Sequence, residues 1–554
     1  MCVHCGKLVS TDSFHIDMTS STGIMQTQKA EEDLHALLPN NPFVPPKGGV
    51  CFINNLPPEL LSCIFEVGSA EDDKGGDFLR RQPSDAKEAD ENDTHDIDVE
   101  MEEEFEDEGE RDEEETDATR SSDLPSPCLS FQIVASHVCC HWRNIAFSTP
   151  SLWTTIEVAP EARPPYKPVS THLGRSKGLP IHIFVNCVPH NHAYDVEPPS
   201  DADLKFLFSL LVPHIHRWRT MKISVEEYHH MYVFLSAVSD PSTPAAPRLT
   251  TLGLFHHEVT EGFDSFDMSK HLTLFGGSAP LLTRIVLWGV PVNWNQPWIA
   301  SASNLTDLEL AYHPEDARPS WAQFASILRG ASVLEKFSLQ TSGPSGEPPE
   351  WLIEPTPESP ADLNAPVQLQ VKNFIFAFHS QARTIGLLRK FYLPALKNLV
   401  LDFDDGDYTD FVHELAGPAT PLSLPSVQEQ PHSLLSNLES LEISGLTCRP
   451  ECVETLYGEL QNLTSLNLSL AYLPDVFLRL LCSFGMSTGR HPILLPRLVT
   501  LYVSGTSGDV LREVVQKRKD AGVPLHSLYV EESCDMDDED VEWLMDNLKT
   551  FELF

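Results

Sequence analysis

The sequence predicts an α/β protein in which a small helical unit precedes an irregular solenoid of parallel strands and outer helices. Two observations support this prediction. Residues 51–158 carry two apolar segments with helical spacing, and residues 180–554 repeat one short apolar motif. With 554 residues the chain is too long for one compact core, so at least two structural units or a repeat array are expected.

The first apolar segment is INNLPPELLSCIFEVGS, which begins at Ile53. Asn55 is a suitable N-cap, and Pro57 and Pro58 suit the first turn of a helix, where their missing N–H groups cost nothing. Gly68 is a natural helix stop. The apolar stripe at helical spacing consists of Leu60, Leu61, Ile64, Phe65 and Val67.

The second apolar segment is SFQIVASHVCCHWRNIAFSTPSLWTTIEV, which begins at Ser130. Val134, Val138, Trp142 and Ile145 recur at i, i+4, i+8 and i+11, which predicts one helical face. Neither helix can bury its stripe alone, so the two must pack on each other or on a partner. From the pattern alone, an ordinary two-helix core packed on the repeats is the simpler interpretation.

Read together, the two segments resemble an F-box of the kind common in large fungal F-box families. The family pattern is a Leu-Pro-x-Glu helix start, then Val-Cys-x-x-Trp-Arg, then a Pro-x-Leu-Trp ending. The matching residues are Leu56, Pro57, Glu59, Leu60, Leu61, Ile64, Phe65, Val138, Cys139, Trp142, Arg143, Thr149, Pro150, Leu152 and Trp153. The chain departs from the family in the long acidic insertion that separates the two halves.

The F-box resemblance implies a non-catalytic adaptor subunit. Its helices would dock on a Skp-type adaptor, which joins a cullin–RING ubiquitin ligase, while the repeats would bind the target protein. The residues that this resemblance assigns to adaptor binding are Leu56, Pro57, Leu60, Leu61, Ile64, Phe65, Val138, Cys139, Trp142, Ile145, Leu152 and Trp153. The alternative is a leucine-rich interaction scaffold without a ubiquitin-ligase role.

The insertion between the two halves, at about residues 70–128, holds much of the protein's formal net charge of −43. Residues 90–117 alone contain eighteen acidic side chains against the single Arg111. Such like-charge density with few large apolar residues predicts a disordered insertion, either a solvated loop or a docking site for a basic partner. Residues 1–50, polar and rich in turn formers, are expected to be a mostly disordered arm. The excess of negative charge in the chain disfavours binding to nucleic acids and to anionic membranes.

The C-terminal part repeats Leu-x-x-Leu-x-Leu, or a close variant, eleven times at spacings of 23 to 42 residues. The copies are WRTMKI (218–223), LTTLGL (249–254), LTRIVL (282–287), LTDLEL (305–310), LEKFSL (334–339), VKNFIF (371–376), LKNLVL (396–401), LESLEI (438–443), LTSLNL (463–468), LVTLYV (498–503) and LHSLYV (525–530). The last three residues of each copy alternate in the manner of a strand, and helical stretches such as 320–332, 454–462 and 509–519 lie between copies. Strand and helix in repetition build a parallel sheet with helices outside.

This pattern resembles the leucine-rich repeat superfamily in a longer and less regular form. If so, the side chains at and just after the middle position of Leu-x-Leu form a concave surface that is expected to bind the target. The candidates are Trp288, Glu309, Val400, Asp402, Glu442, Asn467, Tyr502 and Tyr529. Their mixture of aromatic and acidic side chains suggests a partner with basic and apolar patches; the alternative is that most are merely solvated.

Sequence motifs for metal binding or catalysis are weak. Cys2-x-x-Cys5 and Cys448-x-x-x-Cys452 lack second pairs, so unrelated thiols are favoured over zinc, and the pairs His229-His230 and His256-His257 are interpreted as solvated loop residues. Glycine-rich phosphate loops and hydrolase motifs are missing, so neither an enzyme nor a cofactor is expected. The basic run 517–519 is either a nuclear signal or a helix C-terminus. Low cysteine content and the lack of an apolar leader or membrane segment favour the cytoplasm, the nucleus or both.

Overall fold

The computed structural model describes residues 53, 56–72, 130–188, 197–258, 271–351, 366–404, 406–417, 433–482, 494–532 and 534–554. The chain forms two compact units. The helical unit comprises Met1–Thr154 and Thr171–Leu179, and the repeat unit comprises Thr155–Ser170 and Pro180–Phe554. The predicted arm, the N-cap Asn55 and residues 73–128 of the predicted insertion lie outside the described residues.

Three helices and a short 3₁₀ turn form the described core of the helical unit. They are α1 (Pro58–Asp72), α2 (Phe131–Val138), α3 (Cys140–Ser148) and the turn Pro150–Trp153. Their buried side chains form one cluster, made of Leu61, Phe65, Ala135, Ile145, Ala146, Leu152 and Trp153. The two apolar segments of the sequence therefore share a single core, although an insertion of more than fifty residues separates them.

Helix α1 continues through Gly68 to Asp72, so the predicted stop at Gly68 is wrong. The glycine has another role. A Cβ at Gly68 would lie 2.5 Å from the Phe131 ring, so only glycine lets that ring pack against the helix backbone. Close packing between α1 and α2, rather than termination, explains the glycine.

The single helix predicted for the second segment is also wrong. Cys139 has an extended backbone (φ −158°, ψ 170°) and separates α2 from α3. It serves as the N-cap of α3, and its Sγ accepts a hydrogen bond from the Trp142 amide at 3.4 Å. Because of this break, α2 and α3 do not share one helical face. Val134 and Val138 on α2 are exposed, while Ile145 on α3 is buried.

The repeat unit is built on one parallel sheet of fourteen strands arranged in chain order. Its strands are β1 (Thr155–Val158), β2 (Ile181–Asn186), β3 (Trp218–Val225), β4 (Thr251–His256), β5 (Arg284–Trp288), β6 (Asp307–Ala311), β7 (Lys336–Gln340), β9 (Asn373–Ala377), β11 (Asn398–Asp402), β12 (Ser440–Ser444), β13 (Ser465–Ser469), β14 (Thr500–Ser504), β15 (Ser527–Val530) and β16 (Thr550–Leu553). The short strands β8 (Val367–Gln368) and β10 (Phe391–Tyr392) form a separate pair. All eleven predicted copies are neighbouring strands of the large sheet, which confirms the predicted fold class.

Three strands of the sheet were not predicted. β1 and β2 precede the first copy and β16 follows the last. The sheet therefore begins at Thr155, inside the segment that the sequence assigned to the helical unit, and well before residue 180.

Helices lie between the strands of the repeat unit. They are α4 (Lys167–Arg175), α5 (Asp201–Leu211), α6 (Tyr228–Val238), α7 (Pro297–Ala300), α8 (Trp321–Gly330), α9 (Gln381–Leu388), α10 (Thr409–Ala416), α11 (Pro450–Glu459), α12 (Val476–Arg479), α13 (Gly508–Asp520) and α14 (Asp538–Asn547). The three helical stretches predicted between copies correspond to α8, α11 and α13.

Asparagines that directly precede a repeat copy tie successive repeats together. The Asn304 side-chain amide donates to the Pro280 carbonyl at 3.0 Å, and that of Asn462 donates to the Ser436 carbonyl at 2.7 Å. Each bond spans one repeat and satisfies a turn carbonyl that the sheet leaves free. Asparagine is therefore favoured at this position for a structural reason.

His313 makes the stability of the repeat unit depend on pH. Its side chain is fully buried, its Nε2–H donates to the Val290 carbonyl at 3.2 Å, and its Nδ1 accepts from the Ser342 hydroxyl at 2.9 Å. Burial first, and then the charge of Arg318, lower the pKa of His313 to about 3. The folded protein thus keeps a neutral imidazole where the unfolded chain takes up a proton.

We expect His313 to contribute its full stabilisation above pH 6.5 and to lose it progressively as the pH falls toward 3. The loss is about 1.4 kcal/mol per pH unit, because only the unfolded state binds the proton. Urea unfolding of wild type and His313→Gln at pH 7, 6 and 5 measures it: the stability difference between the two should shrink as the pH falls. The exposed His413→Gln serves as the control, and a difference for His313→Gln that stays constant with pH would contradict the assignment.

Candidate partner-binding surfaces

Helix α1 presents an apolar row to solvent. Leu60, Ile64 and Val67, spaced i, i+4 and i+7, are 52%, 43% and 61% exposed. The opposite side of the same helix carries Leu61 and Phe65, which are fully buried. The helix is therefore apolar on two sides, and the described part of the unit covers only one of them.

Helix α2 adds exposed apolar side chains of its own. Val134 and Val138 lie one helical turn apart and are 48% and 56% exposed. Their helix is held to α3 by the Arg143 side chain, whose Nε donates to the Ser136 carbonyl at 2.9 Å. Arg143 thus has a structural role within the F-box-like pattern.

The residues predicted to bind an adaptor fall into three groups in the structure. Five of them form the core, namely Leu61, Phe65, Ile145, Leu152 and Trp153. Three are half-buried, namely Leu56, Cys139 and Trp142. The four that lie exposed are Pro57, Leu60, Ile64 and Val138. Only the last group offers free apolar surface, and the sequence pattern did not separate it from the core.

The core residues of this unit are fixed by aromatic contacts and by hydrogen bonds within and between the two segments. The Phe65 ring lies 5.0 Å from that of Trp142 and 6.2 Å from that of Phe131, measured between centroids. Ser62 and Thr149 share a hydrogen bond at 2.9 Å. The Trp153 Nε1–H donates to the Ala146 carbonyl at 2.8 Å. This packing orients α1 so that its apolar row faces outward.

In the repeat unit, strands β11–β15 expose one sheet face. We call it the open sheet face, and it comprises Val400, Asp402, Glu442, Asn467, Tyr502 and Tyr529. Tyr502 and Tyr529 pair in register, and their rings stack at 4.5 Å with an interplanar angle of 9°. Asn467 and Glu442 continue the same row on β13 and β12. Two stacked aromatic rings thus lie beside carboxylates on one surface.

The carboxylates of the open sheet face influence each other. Crowding by neighbouring side chains desolvates Glu442 and raises its pKa, a hydrogen bond with Asn467 opposes that rise, and the charge of Asp402 adds to it. No Lys or Arg occupies the six positions that define this face. A positively charged group placed here would relieve the repulsion.

Two of the predicted target-binding residues are not available to a partner. Trp288 and Glu309 are 3% and 6% exposed, and the Trp288 Nε1–H donates to the Glu309 carboxylate at 2.8 Å. The Trp288 ring also contacts the rings of Phe255 and Tyr312, at 5.3 and 5.6 Å. Strands β4–β7 are buried on both faces, so the assignment of Trp288 and Glu309 to an exposed surface is wrong.

Four of the described residues in the cysteine and histidine pairs are buried. Cys448 and Cys452 are buried, and burial raises the pKa of the Cys448 thiol to about 12. Cys2 and Cys5 lie outside the described residues. His230 and His256 are 3% exposed, so their interpretation as solvated loop residues is wrong.

The basic run 517–519 forms the last turn of α13, as the helix-terminus interpretation predicted. Arg518 is fully buried there. None of the described helices is both long and apolar enough to span a membrane.

Comparison with known proteins gives little guidance on function. No protein-family model matches the chain, and no curated protein matches it. Among solved structures, a chain of the "Crystal structure of Rad7 and Elc1 complex in yeast" is similar, with 17% sequence identity and a TM-score of 0.25. The match covers 63% of this chain and 92% of that chain. A TM-score this low carries no argument about function.

Proposed function

We propose that the protein is a non-catalytic substrate-recognition subunit of a Skp–cullin–F-box ubiquitin ligase. In this proposal the helical unit docks on a Skp-type adaptor, and through it on a cullin–RING ligase, while the repeat unit binds the target protein. The observation that carries the proposal is the apolar row Leu60, Ile64 and Val67 on a helix whose other side is already packed.

An exposed apolar row on a well-packed helix suits binding in a partner's groove. Side chains at i, i+4 and i+7 are the anchors of helix-in-groove recognition, and such anchors contribute most of the binding energy. The core beneath the row is held by Phe65 and Trp142, so the anchors are preorganised and binding costs little ordering entropy. The F-box-like pattern of the sequence adds the chemistry of the partner, a Skp-type adaptor.

Target binding is assigned to the open sheet face. Its stacked Tyr502 and Tyr529 offer a flat aromatic surface, and Asp402 and Glu442 add negative charge. This combination favours a segment that carries Arg or Lys side chains, which pair with carboxylates and lie over aromatic rings. The proposed target is therefore a protein with a basic and partly apolar patch.

The cytoplasm, the nucleus or both are proposed as the site of action. All eight cysteines within the described residues are free thiols, including the buried Cys187, Cys448 and Cys452. Free thiols suit a reducing compartment.

Affinity purification of the tagged full-length protein tests the proposal. We expect wild type to co-purify a Skp-type adaptor and a cullin, and Leu60→Asp/Ile64→Asp to lose both, because two buried carboxylates cannot replace apolar anchors in a groove. Met545→Asp is the matched control, since Met545 is an apolar side chain on α14 that is 59% exposed. It should retain both partners.

A Tyr502→Ala/Tyr529→Ala variant tests whether the open sheet face binds the target. It should retain the adaptor and the cullin while losing proteins that wild type brings down through the open sheet face. If wild type itself captures neither adaptor nor cullin, the ligase role is wrong and a leucine-rich interaction scaffold is the remaining candidate.

A further inference from the structure

One cluster of side chains outside these surfaces combines an aspartate with two histidines. Within the described residues, candidate ligand atoms of Asp201, His229 and His230 all lie within 4.8 Å of one another. Asp201 is the first residue of α5, and the two histidines are in the first turn of α6. Packing of α5 against α6 brings together residues that are 28 positions apart in the sequence.

The His229 ring has the geometry of a metal ligand. Its Nε2 lies 3.5 Å from Asp201 Oδ1, close to the roughly 3.4 Å that separates two ligand atoms bound tetrahedrally at about 2.1 Å from one zinc ion. Its Nδ1 lies 3.1 Å from Glu227 Oε2. A carboxylate on the far nitrogen of a histidine fixes the ring and raises its basicity, as in carboxylate–histidine–zinc arrangements.

The Asp201 carboxylate has an oxygen that a metal ion would satisfy. Asp201 Oδ1 is buried but accepts no hydrogen bond within the described residues, an arrangement that costs free energy. His230 is 3% exposed, and its ring centroid lies 3.9 Å from that of His229, so the buried imidazole lies within the same group of ligand atoms.

We propose that Asp201, His229 and His230 bind one divalent transition-metal ion of the zinc class, with Glu227 orienting His229. Two imidazoles and one carboxylate suit Zn²⁺. Three protein ligands leave a coordination position for water or for a donor from a partner. The N-termini of two neighbouring helices can also attract an anion. Here the carboxylates of Asp201 and Glu227 would repel an anion, so a metal ion is favoured.

Zinc binding to the chelator-treated full-length chain tests the site. Titration calorimetry with Zn²⁺, and competition with a chromophoric chelator, should show one more equivalent bound by wild type than by His229→Ala or Asp201→Asn. Glu227→Gln should bind that equivalent about 10- to 100-fold more weakly, the usual effect of losing an outer carboxylate. Substituting Co²⁺ should give visible absorption that the His229→Ala variant lacks.

The controls separate this site from other metal ligands of the chain. His229 is about half exposed, so His229→Ala leaves the fold intact, and His216→Ala removes another exposed histidine elsewhere in the repeat unit. His216→Ala should bind like wild type. The proposal is overturned if wild type, His229→Ala and Asp201→Asn bind the same number of equivalents with equal affinity, or if wild type binds no Zn²⁺. It is independent of any ubiquitin-ligase role.

Discussion

Arg518→Met is expected to destabilise the repeat unit by about 3–5 kcal/mol. Arg518 is fully buried on α13, and its guanidinium donates to three carbonyls: Leu481 at 3.3 Å, Leu494 at 3.2 Å and Leu495 at 2.8 Å. Burial lowers its pKa to about 10, so the side chain still carries its charge at neutral pH. Methionine fills a similar volume but leaves three buried carbonyls without donors.

Urea unfolding followed by circular dichroism measures this effect. The matched control is Lys517→Met on the same helix, because Lys517 is half exposed and, among the described residues, its ion pair is with Glu513. That control should unfold like wild type, since exposed ion pairs contribute little. If Arg518→Met stays within about 1 kcal/mol of wild type, a range typical of surface substitutions, the three carbonyls have other donors and the assignment is wrong.

Phe65→Ala is expected to cost the helical unit about 3–5 kcal/mol, the usual loss for a fully buried phenylalanine. The Phe65 ring fills the space between Phe131 and Trp142, and alanine leaves a cavity that joins the two segments of the unit. Because the repeat unit has its own core, its stability should not change. Hydrogen exchange with mass spectrometry resolves the two units. Amides of Pro58–Asp72 should exchange at least about 100-fold faster.

Ile64→Ala is the companion variant for Phe65→Ala. Ile64 is the adjacent residue on the same helix but is 43% exposed, so its truncation should change exchange in α1 only slightly. The pair separates a residue that holds the fold from one that is free for a partner. Equal acceleration by both variants would show that α1 is not packed as described.

The repeated Leu-x-x-Leu-x-Leu spacing predicted the sheet well because each copy repeats the same physical constraint. Every copy places two apolar side chains on one side of a strand, and eleven copies reinforce one register. Of the strands that escaped prediction, β16 carries this spacing as LKTFEL (548–553) and β1 carries a degenerate form as WTTIEV (153–158), so both were overlooked. β2, which is IHIFVN, lacks the spacing. Alternation alone in four to six residues does not distinguish a strand from a loop.

Burial on both faces of β4 and β5 had a signal in the sequence that the repeat motif concealed, whereas β6 and β7 had none, because their buried Glu309, Ser338 and Gln340 are polar. In LTTLGLFH and LTRIVLW the apolar run continues past the last leucine, into Phe255 and Trp288. Continuous apolar runs indicate strands covered on both sides, whereas the polar residue after the motif in β12–β14 indicates an exposed face. The sequence around Trp288 therefore indicated that this residue is buried.

The candidate sites depend on three-dimensional contacts that periodicity cannot supply. The stripe Leu60, Leu61, Ile64 and Phe65 predicted an apolar helix, but only packing with α2, α3 and the following 3₁₀ turn decided which of these residues remain outside. Likewise His229 and His230 gave no metal spacing in the sequence, because their carboxylate partner Asp201 comes from the preceding helix. Helix pairing, rather than local sequence, creates both arrangements.

A binding measurement with purified Skp-type adaptor tests whether the apolar row on α1 binds that adaptor. We predict that wild type and Met545→Asp bind with the same Kd, while Leu60→Asp/Ile64→Asp binds at least about 100-fold more weakly. Burying two such side chains contributes about 3 kcal/mol or more, and 1.4 kcal/mol corresponds to a factor of about ten. Wild type that fails to bind the adaptor, or a double variant that binds as tightly as wild type, would contradict the claim.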